Sequence, residues 1–135
     1  MGNKDDSYYI EQAIIEINYI IKYTKNMSYD ELLNDIKTID ATMFRLQQMI
    51  EKIKNISQEY KSIHNEIPWG DIIGFRNGIV HDYGKTDYTT VYEIINKDIY
   101  QLKELFENSL WHLNTNLKNK FYIHWWKNHS WKCKL

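Results

Sequence analysis

The chain has 135 residues and a formal net charge of −1, with 43% hydrophobic and 26% charged residues, enough for one domain with its own core and too little for two. That balance belongs to a globular protein rather than a disordered one. No apolar run approaches the ~20 residues that cross a bilayer, the first seven residues are polar rather than leader-like, and the lone Cys133 excludes an internal disulfide or a cysteine metal cluster, so a cytoplasmic protein without membrane contact is expected.

A single proline, Pro68, and five glycines punctuate the sequence, and no Asn-Gly or Asp-Gly turn joins two alternating apolar runs, so sheet has little support. The periodicity is helical. Ile10, Ala13, Ile14, Ile17, Ile20 and Ile21 recur at three- and four-residue steps behind a Ser7 cap, predicting a first helix to about Thr24. Ser28 and Glu31 form a capping-box pattern, and Leu32, Ile36, Ile39, Met43, Leu46, Ile50 and Ile53 continue it as one long stripe with a bend near Asp35. The polar stretch from Ser57 ends at Pro68, which suits the first turn of a helix running to about His81. Tyr83 to Thr89 reads as a loop. Thr90 and Glu93 repeat the capping pattern before a last stripe of Val91, Ile95, Ile99, Leu102, Phe106, Leu110 and Leu113. The elements predict an all-α fold, an up-and-down four-helix bundle with short extra helices, over residues 1–117.

Charge is unevenly spread. Residues 118–135 hold five lysines and no acid, which leaves −6 on the rest, so the bundle lacks the broad basic face of a protein that binds nucleic acid by charge alone. Any RNA contact must be local. The tail interleaves Trp125, Trp126 and Trp131 with Lys127 and Lys132, a pattern that suits stacking on single-stranded RNA, anchoring at a surface, or packing on the bundle or a partner. Fifteen lysines stand against two arginines, Arg45 and Arg76, and an arginine kept in so lysine-rich a chain suits a task that needs the planar guanidinium fork.

Arg76 opens the chemically richest segment, followed by Asn77, then by His81 and Tyr83. This pattern, Arg, four residues beginning with Asn, then His-x-Tyr, resembles the HepT-like toxins of the HEPN superfamily, and the similarity extends to Ile67-Pro68-Trp69, to Asp40-Ala41 through Arg45-Leu46 with Glu51, and to the helix from Val91 to Leu105. One departure is Ile50-Glu51-Lys52 where the family often has Gly-Glu-Ala. The resemblance implies a homodimeric, metal-independent RNA endonuclease of a toxin-antitoxin module, leaving a 2′,3′-cyclic phosphate or 3′-phosphate and needing neither metal nor other cofactor. It also implies a partner, a minimal nucleotidyltransferase antitoxin that transfers AMP to Tyr83.

The residue chemistry agrees. Histidine supplies a group near neutral pKa for His81 to move the 2′-hydroxyl proton, and the Arg76 fork suits a phosphate and the charge that grows on it. Asn77 can orient that phosphate or cap backbone, while the family resemblance implies Asp40 and Glu51 as candidate cleft residues. Arg45 and Asp40, five apart, read as a solvated pair. His64, His112, His124 and His129 show no Glu-x-x-His or His-x-x-x-His spacing, so a metal site is not expected. Five helical residues turn about 140°, so Arg76 and His81 lie on different faces, whereas Gly74, Gly78 and His81 share one. That small-residue face predicts a close helix approach across a two-fold axis, with Arg76 and His81 of both protomers along one cleft; the glycines would otherwise only bend or end the helix. The alternative function is a non-catalytic module that binds a nucleotide or a nucleotidyltransferase, with Arg76 as a phosphate anchor.

Overall fold

The computed structural model describes residues 5–81 and 87–113, with 76–81 and 112–113 described as helical backbone. Every regular element among them is a helix. The first, α1 (Asp6–Thr24), is capped by Asp5 rather than Ser7. The Asp5 carboxylate accepts the Ser7 hydroxyl at 2.7 Å and the Tyr8 N–H at 2.9 Å, and these two bonds hold its pKa below the usual aspartate value. Ser7 is already inside the first turn, where its oxygen cannot serve the free N–H groups ahead of it.

Asn26 then takes a left-handed φ of 64°, a conformation asparagine tolerates better than branched residues, and the chain turns into α2 (Tyr29–Leu33). Both arms of the expected capping box are present: Glu31 N–H donates to Ser28 Oγ at 3.1 Å and Ser28 N–H to Glu31 Oε1 at 3.0 Å. The long stripe behind it does not form one bent helix. It breaks at Asn34 and Asp35, because both side chains bind local backbone better than they continue a helix: the Asn34 amide donates to the Asp30 carbonyl at 3.0 Å, and the Asp35 carboxylate accepts the Thr38 N–H at 3.1 Å and its hydroxyl at 2.7 Å. Asp35 thereby caps α3 (Ile36–Lys54).

A short helix, α4 (Gln58–Ile63), occupies the stretch whose polarity gave no helical signal. Ser57 caps it through Tyr60 N–H, and donates its own N–H and hydroxyl to the Asp6 carboxylate at 2.8 and 2.7 Å, tying the start of α4 to the start of α1. Next comes α5 (Trp69–His81), whose first bond runs from Ile72 N–H to the Pro68 carbonyl at 3.1 Å, so the proline sits one residue before the first turn. The last stripe begins earlier than Thr90: Asp87 caps α6 (Tyr88–Glu93), accepting Thr89 N–H at 3.0 Å and the Thr90 hydroxyl at 2.9 Å. A π turn, Ile94–Asp98, carries the chain without interruption into α7 (Ile99–Leu113).

The core forms where α1 packs along α3, α3 against α5, and α1 against α7. Ile10, Ile17 and Ile20 of α1, Met43, Leu46, Ile50 and Ile53 of α3, and Ile99 and Phe106 of α7 are fully buried, each contributing roughly 1.5–3 kcal/mol of transfer free energy. No helix among the described residues is long and apolar enough to cross a membrane.

Candidate active site

Helix α5 is the platform for the sequence motif, and its N-terminal turn is firmly anchored. The Trp69 ring is 9% exposed and stacks on Phe106 of α7 at 6.0 Å between centroids and 24° between planes, while its indole N–H donates to the His64 carbonyl at 3.0 Å. His64 ends α4 beneath the Tyr60 ring, 4.4 Å between centroids, with Nδ1 3.4 Å from Glu66 Oε1. Arg76, Asn77 and His81 occupy the last turns of the helix so positioned. Tyr83 and the basic, aromatic tail lie outside the described residues, as does the boundary expected near residue 117. Gly74 is exposed, and a Cβ added there would meet no described atom outside the helix's own backbone within 4 Å.

Asp40 and Glu51 stand on α3, the helix against which α5 packs. Asp40 is exposed near its start; Glu51 is half-buried near its end, its carboxylate 3.8 Å from Lys54 Nζ. Eleven residues of helix separate them by about 16 Å, so the two do not converge on one reacting atom. Arg45 is not paired with Asp40 as expected. It reaches across to α1, where Nη1 lies 3.3 Å from both Glu16 oxygens and the guanidinium carbon sits 4.1 Å above the Tyr19 ring. A hydrogen bond with Tyr23 and then one with Glu16 outweigh burial and raise its pKa. One of the two arginines thus uses one guanidinium nitrogen and its flat face to join α1 to α3. The sequence could not show this pairing, which spans 29 positions.

A feature the sequence did not disclose is a half-open cavity of about 300 Å³ bordered by α3, α5 and the π turn with the start of α7. Leu46 and Ile50, Ile72 and Phe75, and Ile94 and Leu102 wall it, and Asp71, Asp98 and Gln101 stand at its exposed edge. The π turn carries no signature in an apolar stripe, so periodicity alone could not have located it. Among the described residues no three His, Cys, Asp or Glu side chains are grouped to hold a metal ion.

An all-helical chain that carries Arg-Asn and His near the end of one anchored helix defines the class, and comparison with known proteins gives the family. The family model for ribonuclease HepT-like proteins matches residues 12–109, and the chain belongs to that family. Among its relatives, "Probable ribonuclease HepT" of Thermococcus cleftensis is 31% identical over 73% of this chain and 90% of its own length. A Methanocaldococcus jannaschii protein named "Putative RNase" is 31% identical over 79% of this chain and 88% of its own. A longer protein of the same organism, named "Gamma-glutamylcyclotransferase and putative RNase", is 29% identical over 89% of this chain, which spans only 54% of that relative's length. No solved structure matches the chain.

Proposed function

We propose that this protein is a metal-independent RNA endonuclease of a toxin-antitoxin pair, working as a homodimer of up-and-down four-helix bundles over residues 1–117. The observation that carries the reading is the family match over 12–109, with Arg76, Asn77 and His81 inside the matched span on a single helix. His81 takes the proton from a ribose 2′-hydroxyl; the 2′-oxygen bonds to phosphorus as the bond to the departing 5′-oxygen breaks, and that oxygen receives a proton from the His81 of the second protomer. A 2′,3′-cyclic phosphate results. Arg76 holds the phosphate by its fork and stabilises the charge that develops on it, with Asn77 assisting. Asp40 and Glu51, both on α3, contribute to the cleft. A minimal nucleotidyltransferase antitoxin adds AMP to Tyr83, placing a bulky anion beside the phosphate site.

The test is cleavage of single-stranded RNA by purified protein in excess chelator, compared with His81→Ala and Arg76→Lys. Loss of the acid/base group costs ~10²–10⁴-fold, and lysine, a point charge without the fork, fails to rescue Arg76. Undiminished cleavage by His81→Ala would refute the assignment and leave the binding-module reading in its place.

A further inference from the structure

The cavity beside α5 has a chemistry of its own. Its walls are mostly apolar and include Phe75, while the polar groups at its edge are the Asp71 and Asp98 carboxylates and the Gln101 amide. At about 300 Å³ it stands at the lower end of pockets that enclose small ligands. Two carboxylates repel a phosphate, so the nucleic-acid backbone does not lie here. They accept hydrogen bonds from N–H groups, and an apolar slot with acceptors at its rim suits a flat heterocycle that carries donors on its edge. Of the four RNA bases, guanine, adenine and cytosine present an exocyclic amino group; uracil has none.

Position strengthens the match. Asp71, Ile72 and Phe75 reach the cavity from α5, and Arg76 follows Ile72 by four residues, just over one helical turn or about 6 Å along the same axis. Ile94 and Asp98, which line the opposite side, are the first and last residues of the π turn, a distortion found frequently at functional sites. We propose that this cavity is a base-recognition subsite, which takes one unpaired base bearing an exocyclic amino group and sets it one turn from the phosphate held by Arg76. It rests on the ribonuclease reading for its purpose, though not for its binding.

Binding can therefore be read without turnover. The wild-type protein is titrated with GMP, AMP, CMP and UMP, following the amide resonances of Phe75, Ile94 and Asp98 by NMR; the phosphate common to all four cancels in the comparison. The three amino-bearing nucleotides should bind at least ~10-fold more tightly than UMP, a difference of about 1.4 kcal/mol. Asp71→Asn and Asp98→Asn keep the shape, replace an acceptor with a donor, and should narrow that preference. Selective binding by a protein that cleaves no RNA supports the subsite and refutes the nuclease reading separately. Equal affinity for all four, or silence at these resonances, overturns the subsite whatever the cleavage result. A changed sedimentation coefficient in either asparagine variant, with the base preference intact, assigns the cavity to an interface between copies and overturns it too.

Discussion

The Trp69 indole N–H donates to the His64 carbonyl at 3.0 Å, joining the residue that caps the C-terminal end of α4 to the first residue of the helix that carries the motif. This bond and the Phe106 stack set where α5 begins. Trp69→Phe keeps an aromatic ring in the core but removes one of two donors to the His64 carbonyl, which retains the Ile67 N–H at 3.2 Å, and should cost ~1 kcal/mol. Trp69→Ala should cost ~3–5 kcal/mol by opening a cavity. Urea unfolding measures both, and equal stability of the two variants would show that the ring contributes nothing beyond its hydrogen bond.

Burial of Tyr60 makes an alkaline prediction. Its hydroxyl donates to Ser109 Oγ at 2.6 Å, and its pKa is pushed from 10.0 up to about 12, chiefly because burial penalises the phenolate, with Asp6 and Glu66 adding to the rise against the Ser109 bond. The folded pKa lies above the unfolded one, so this stability is complete below about pH 10 and declines as pH climbs through about 12. Wild type minus Tyr60→Phe should show that decline in urea midpoints, with a neutral-pH cost of ~0.5–1.5 kcal/mol. A parallel pH course for the two proteins would refute it.

Gly74 separates the fold from the assembly. Among the described residues, outside the helix's own backbone, nothing stands within 4 Å of an added Cβ, so Gly74→Ala should stabilise the isolated helix, by up to ~1 kcal/mol. Gly74→Leu should leave the fold intact while weakening a dimer that packs on this face. Sedimentation of wild type and both variants decides: unchanged association in Gly74→Leu would place the two-fold axis elsewhere.

Tyr83 tests the antitoxin half of the proposal. Incubation with a cognate nucleotidyltransferase and Mg-ATP should add AMP to the wild type and reduce its cleavage, whereas Tyr83→Phe should stay active and unlabelled. Intact mass gives the answer, and equal labelling of both proteins would move the acceptor to another residue.

The apolar stripes alone determined that this protein is helical and roughly where its long helices run, because three- and four-residue spacing reports directly which face a helix buries. The Arg76 to His81 segment was equally readable, since its pattern is local. Helix starts were less so: Asp5, Asp35 and Asp87 each took a cap the sequence assigned elsewhere or left as a bend, through competition between neighbouring side chains for the same free N–H groups. What only the tertiary structure decided lies between elements. Arg45 finds Glu16 rather than Asp40, and residues from α3, α5 and the π turn border a half-open cavity, because both depend on how helices distant in sequence pack, and no spacing along a single helix records that.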